Sequence, residues 1–223
     1  NNVANNTNSG NQNSGNQNLG NQNSIFNHFI SEIRNIEVQN DSMRFRRNLE
    51  RIGEIFSYEI SKRMKYSNTK VTTPLGISSE NLISEKPVLA TILRAGLPLH
   101  QGFLNYFDNS DNSFISAYRK HKKEGDFEIK IEYMSAPEIT GRTIILCDPM
   151  LASGSSMILA IQSLLTKGRP KHIHIVSVIA SSEGINYLKE NIPTQNFTLW
   201  IGAVDKELTS QSYIVPGLGD AGD

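Results

Sequence analysis

Thr143-Ile144-Ile145-Leu146-Cys147-Asp148-Pro149-Met150-Leu151-Ala152-Ser153-Gly154-Ser155-Ser156 decides how the rest of the chain is read. Residues 143–147 form a continuous, mostly apolar run, as expected of a strand buried on both faces. Small residues fill positions 152–156, and helical periodicity begins at Ser155 and runs to Thr166. Strand, tight loop and helix follow one another without a break. The same alternation continues on both sides. Upstream, residues 88–93 read as a strand and 97–107 as a helix, followed by a strand over 113–118. Downstream come a strand over 173–180, a helix over 183–190 and a strand over 197–204. Residues 127–133 alternate in polarity after the turn-like Glu124-Gly125-Asp126, as one arm of a hairpin would. Strands alternating with helices of this length predict an α/β fold, with a mostly parallel sheet flanked by helices and a protruding β-hairpin at about 119–133. Ligands of such sheets bind beyond the carboxyl ends of the strands, which is where the quoted loop lies.

Before the sheet, Asp41 reads as the N-cap of a long helix reaching about Lys65. Phe45, Leu49, Ile52, Phe56, Ile60 and Met64 step by three or four along one face. Earlier still the composition changes. In residues 1–24, Asn and Gln occupy 14 positions and a five-residue unit repeats three times, as in Ser9-Gly10-Asn11-Gln12-Asn13. Such a tract has little to bury against the entropy of ordering. It is expected to be a disordered extension, with the folded domain spanning 25–223.

The chain has 223 residues, 22 of them Lys or Arg and 22 Asp or Glu, for a formal net charge of zero; none of these charges precedes Glu32. Zero net charge argues against a wholly basic, non-specific nucleic-acid binder. A single cysteine, Cys147, excludes an internal disulfide framework and any cysteine-cluster metal site. No apolar run approaches the roughly 20 residues that span a bilayer. The start lacks the basic and apolar regions of a signal peptide. A cytoplasmic setting, with no membrane partner, is the expectation.

The chemistry is read from the loop. Backbone N–H groups at 152–156 can converge on an anion, and the N-terminus of the following helix adds its positive dipole end. A carboxylate at Asp148 would repel a phosphate and suits neutral hydroxyls instead. That combination describes a ribose-phosphate site. The same residues could simply cap a helix, and spacing alone leaves both readings open. The loop is neither a Walker A motif nor a dinucleotide fingerprint.

Residues 147–156 resemble the phosphoribosyl diphosphate (PRPP) loop of the uracil phosphoribosyltransferase family, which has the type I phosphoribosyltransferase fold. Thr91-Ile92-Leu93-Arg94-Ala95-Gly96-Leu97 resembles that family's diphosphate loop. Tyr213-Ile214-Val215-Pro216-Gly217-Leu218-Gly219-Asp220-Ala221-Gly222-Asp223 resembles its uracil signature. The three motifs stand in the family's order, and the similarity runs from about Asn35 onward. The resemblance implies transfer of the 5-phosphoribosyl group from PRPP to uracil, giving UMP and diphosphate. It assigns PRPP to Arg94, Arg119, Asp148, Pro149, Met150, Leu151, Ala152, Ser153, Gly154, Ser155, Ser156 and Asp220. Uracil falls to Ile214, Gly219, Asp220 and Ala221, mostly through backbone groups. Arg94, Asp148 and Asp220 are the residues it assigns to catalysis. It also suggests a strained or cis non-proline peptide beside Arg94, and a hairpin folding over the site.

No acidic, His or Cys cluster reads as a protein-built metal cage, so no metal ligands are assigned; Mg²⁺ is expected to arrive with PRPP and water. Arg119-Lys120-His121-Lys122-Lys123 is the one strongly basic run. Ser153 stands where the family commonly has Thr and keeps the hydroxyl. Family members usually continue past the last motif, which makes the anchoring of the uracil loop a question for the structure. A homo-oligomer is implied by the resemblance, with the long helix as its expected interface. GTP activates some relatives, but no separate nucleotide motif supports a GTP effector here. Two other functions compete: an RNA-binding regulator on the same fold, which would need a basic face with aromatic platforms, and an assembly protein driven by the Asn/Gln tract.

Overall fold

The computed structural model describes residues 16–121 and 127–221 and, of their side chains, all but those of residues 118–129. A seven-stranded sheet forms its middle. In chain order its strands are β1 (Gln17–Asn18), β4 (Val88–Leu93), β5 (Asp111–His121), β6 (Phe127–Ser135), β7 (Thr143–Leu151), β8 (His172–Ser181) and β9 (Phe197–Asp205). Two separate hairpins supply β2 (Tyr66–Thr73) with β3 (Gly76–Ile83), and β10 (Glu207–Leu208) with β11 (Ile214–Val215). Across the large sheet the order is β1-β9-β8-β7-β4-β5-β6, parallel throughout except that β6 runs antiparallel to β5.

Five helices cover the two faces: α1 (Phe26–Arg34), α2 (Ser42–Ser61), α3 (Leu97–Tyr106), α4 (Ser155–Leu165) and α5 (Ser182–Asn191). The period-two alternation of the strands divides the core. Val88, Ala90, Ile92, Ile144 and Leu146 point to the side that α4 and α5 cover with Met157, Ile161, Leu164 and Leu188. Leu89, Ile145, Cys147 and Val176 point to the other side, against Phe26, Ile33, Leu49, Phe56 and Phe103 of the first three helices. Burial on both faces is why the central strands are apolar without interruption.

Asp41 caps α2 as expected, its side chain accepting a hydrogen bond from the Arg44 N–H at 3.0 Å. The helix stops at Ser61, short of Lys65, because Met64 turns inward to pack and the chain then enters β2. Where α2 crosses α3, a Cβ on Gly102 would lie 2.1 Å from the Glu50 carbonyl oxygen, so only glycine permits this approach.

The protruding hairpin is present and longer than expected. β5 and β6 pair from Phe114↔Ser135 to His121↔Phe127, while its turn lies outside the described residues. β2 and β3 pair from Tyr66↔Ile83 to Thr73↔Gly76, with both faces largely exposed. The expected Asn/Gln-rich extension meets the fold at its end: Gln17 and Asn18 pair with Trp200 and Ile201 on β9, and Leu19 packs on the core. Residues 1–15 lie outside the described residues. Among the described residues, no helix is long and apolar enough to cross a membrane.

Candidate active site

The chain leaves β4 for β5 on one side and later reaches β7 on the other. This reversal opens a crevice beyond the carboxyl ends of β4 and β7, the place where parallel sheets hold ligands. A cavity of about 330 Å³ occupies it, lined by Asp148, residues 150–154, Ser156, Met157, Ala95, Ser212, Tyr213 and residues 219–221.

The β7 wall differs from the expected one. The strand does not end at Cys147 but continues to Leu151, pairing Asp148, Met150 and Leu151 with Ser177, Ile179 and Ala180. Pairing with β4 stops at Thr91↔Cys147, so Pro149 sits where that flank has no ladder to donate to, as a strand proline requires. Asp148 is half-buried at the cavity wall. Burial pushes its carboxyl up to about 7, against the opposing effect of a hydrogen bond from the Met150 backbone. Cys147 is fully buried and its thiol is pushed up to about 12, first by burial, so it stays a neutral core residue.

After β7 the loop is braced from beneath. Ser181 Oγ donates to the Ala152 carbonyl at 2.6 Å and accepts from the Gly184 N–H at 2.8 Å. A Cβ on Gly184 would lie 2.2 Å from the Ala152 oxygen, so glycine is needed for α5 to sit this close. Gly154 starts α4 at φ 83°, a left-handed conformation that glycine adopts freely. Around it, Ser155 N–H reaches Ser153 Oγ at 3.4 Å, and the two hydroxyls lie 3.2 Å apart. A helix N-terminus, small residues and clustered hydroxyls make a cradle for an anion.

The β4 wall ends in a cis Leu93–Arg94 peptide, as the resemblance led us to expect. Gly96 is enclosed: a Cβ there would lie 2.0 Å from Thr91 Oγ1, which itself donates to the Cys147 carbonyl at 3.2 Å. This ties the tips of β4 and β7 together. Arg94 lines an adjoining cavity of about 310 Å³, which shares Ala95, Asp220 and Ala221 with the first.

The third wall is the C-terminal loop, and its anchoring was not foreseen. Asp205, the last residue of β9, takes a two-pronged hydrogen bond from Arg34 at the end of α1, with distances of 2.8 and 2.9 Å. The same aspartate accepts from the Gly217 N–H at 2.9 Å, while Arg34 donates to the Gly217 carbonyl at 2.8 Å. Burial pushes the Asp205 carboxyl upward, but these partners more than offset it and hold the carboxyl below the usual range. Gln39 donates to the Leu218 carbonyl at 3.2 Å, and Ile214 and Leu218 are buried in the core. The Val215–Pro216 peptide is cis.

The crevice thus gathers Asp148, Met150, Leu151, Ala152, Ser153, Gly154, Ser156, Gly219, Asp220 and Ala221, with Arg94 in the adjoining cavity. Pro149 and Ser155 adjoin the lining in sequence without lining either cavity, and Ile214 is buried in the core. The Arg119 side chain lies outside the described residues. Tyr213, Ser212 and the Arg34–Asp205 pair are additions. Asp205 sits at the carboxyl end of a strand, a position that would have singled it out had the strand been carried one residue beyond Val204.

A family model described as uracil phosphoribosyltransferase matches residues 21–223. The chain belongs to the uracil phosphoribosyltransferase family. A uracil phosphoribosyltransferase of Porphyromonas gingivalis is 56% identical over 200 residues, which cover 90% of this chain and 92% of the relative. One from Thermococcus sibiricus is 36% identical over 197 residues, covering 87% and 82%. Among solved structures, a protein of Aquifex aeolicus matches with a TM-score of 0.79 at 30% identity, covering 91% of this chain and 94% of the other. Membership of the uracil phosphoribosyltransferase family gives the crevice a chemical meaning that its shape alone leaves open.

Proposed function

We propose that this protein transfers the 5-phosphoribosyl group from PRPP to uracil, giving UMP and diphosphate. The observation that carries the reading is the convergence of all three motifs on one crevice: the 152–156 cradle, the Arg94 loop and the 213–221 loop, from distant parts of the chain.

In this reading the cradle takes the 5′-phosphate and Asp148 accepts hydrogen bonds from the ribose hydroxyls. Arg94 faces the diphosphate, and the family motif assigns Arg119 to the same group. Backbone groups of Ile214 and of residues 219–221 hold the pyrimidine edge, which offers two carbonyls and two N–H groups. Uracil N1 bonds to C1′ as the C1′–O bond to diphosphate breaks, and the N1 proton passes to the departing diphosphate or to water. The transition state resembles an oxocarbenium ion, so the protein contributes position and charge rather than a nucleophile. A site built to donate to the uracil carbonyl would leave that donor unpaired against the cytosine amino group and reject it.

Mg²⁺ belongs to this reading. Among the described residues, no group of three or more acidic, His or Cys side chains could hold a metal. Asp148 and Asp220 both line the crevice, however, and carboxylate oxygens are the hard donors that Mg²⁺ accepts alongside phosphate and water. When bound, the ion neutralises charge on the leaving diphosphate. A cytoplasmic location, a homo-oligomer and a GTP effector complete the proposal, on family membership.

The test is direct. The full chain mixed with labelled uracil, PRPP and Mg²⁺ should yield UMP, and cytosine should yield no CMP. A folded protein that makes no UMP overturns the reading.

A further inference from the structure

The four arginines of α2 differ in what they face. Arg44 pairs with Glu32 at 3.5 Å, and Arg47 pairs with Glu50 and Glu54 at 2.9 and 3.2 Å. Arg51 donates to Asn48 at 3.2 Å and lies over the Phe29 ring. Arg46 has no hydrogen-bond or ion-pair partner among the described residues. It is also the arginine of this helix that lines the 310 Å³ cavity, together with Arg94 of the β4–α3 loop, Gln39 and Ser42. Phe45, Leu49 and Pro98 supply apolar surface in the same cavity.

Charge is distributed unequally between the two cavities. The cradle at 152–156 offers backbone and hydroxyl donors, and no cation lines that cavity among the described residues. The adjoining cavity offers two guanidiniums and opens onto the first through Ala95, Asp220 and Ala221. A substrate with a monophosphate at one end and a diphosphate at the other matches this polarity. Guanidinium groups bind phosphate oxygens as forks and stay charged at any working pH. A glutamate near Arg46 would have neutralised it, as happens at Arg44 and Arg47.

We propose that Arg46 is a substrate-binding residue for the diphosphate end of PRPP, gripping the leaving group from the α2 side while Arg94 holds it from the β4 side. The adjoining cavity is then where product diphosphate rests before release. This inference rests on the proposed transferase reading and extends it to a residue outside the three motifs.

Calorimetry separates the possibilities. The full chain and its Arg46→Ala and Arg46→Lys variants are titrated with inorganic diphosphate plus Mg²⁺, with PRPP, and with UMP. Losing a charged hydrogen-bonding group should weaken diphosphate and PRPP by about 10- to 100-fold in Arg46→Ala. Arg46→Lys should recover part of the loss. UMP carries no diphosphate, so its affinity should change less than about twofold. Among the described residues Arg46 has no partner to lose, so both variants should melt with the parent protein. Unchanged diphosphate affinity overturns the proposal. So does equal weakening of UMP, which would mark a structural role. Failure of the parent protein to bind PRPP or UMP removes the transferase reading itself, an outcome distinct from any behaviour of the variants.

Discussion

Asp148 shows how one side chain couples the site to pH. Burial raises its carboxyl to about 7 in the unliganded protein. In the proposed reading, ribose hydroxyls donate to it and favour the ionised form, so binding PRPP would draw its proton off when the pH is below that value. PRPP affinity should therefore fall by about tenfold per unit as pH drops below about 7, and level off above it. PRPP has titrating phosphates of its own, and Asp148→Asn is the control. The variant should bind PRPP about 10- to 100-fold more weakly and lose the part of the pH profile that belongs to the carboxyl. A parent profile matching that of Asp148→Asn would remove this coupling. Stability moves the other way. A carboxyl raised in the folded state costs stability as pH rises from the ordinary aspartate value through about 7. The amide variant avoids this cost and should melt no lower than the parent at pH 8. Asp148 was legible in sequence because it sits between an apolar strand and a run of small residues. Its shifted proton affinity was not, because that depends on how β4, β7 and β8 close around it.

At the scale of elements, the apolar strands β4, β7, β8 and β9 and the amphipathic α2 were readable because their periodicity reflects burial directly. α1 and the β2–β3 hairpin were missed for opposite reasons. α1 follows the Asn/Gln tract closely and buries only Phe26, Ile30 and Ile33. The hairpin buries almost nothing, so it leaves no pattern of alternation to detect. The Arg34–Asp205–Gly217 clamp was invisible for a third reason: its members lie far apart in sequence and carry no motif. Its effect should be selective. Arg34→Ala or Asp205→Asn leaves the other partner partly buried and unpaired, costing about 2–3 kcal/mol. The KM for uracil should rise well beyond that for PRPP, because the 152–156 cradle is braced independently through Ser181. Equal rises in both KM values would show that the clamp supports the whole crevice rather than the base loop. The depressed Asp205 carboxyl means its stabilisation is present at neutral pH and is lost only as pH falls below the ordinary aspartate range.

For the whole molecule, the zero net charge conceals a separation. No charge precedes Glu32, while Arg46, Arg94, Asp148 and Asp220 line two adjoining cavities. Removing residues 1–15 should leave UMP formation and melting temperature unchanged, since that Asn/Gln-rich stretch has no apolar side chains beyond Val3 and Ala4 to contribute. Removing 1–24 should lower the melting temperature, because it also strips Gln17 and Asn18 from the edge of β9 and Leu19 from the core. Identical melting of the two truncations would show that the β1 pairing contributes nothing.

Arg34 and Gly217 are 183 positions apart. At about 5–20 residues per second of synthesis, about ten to forty seconds pass between the emergence of one and the arrival of the other. Only at the end of that interval, once β9 has been made through Asp205, can the sheet and the 152–156 cradle form while α1 still presents a guanidinium with no loop to hold. In the proposed reading, a ribosome-bound chain that has not yet passed Gly217 has the sugar-phosphate cradle but not the loop that seats a pyrimidine. Turnover therefore waits for translation to be almost finished, and partial chains cannot spend PRPP.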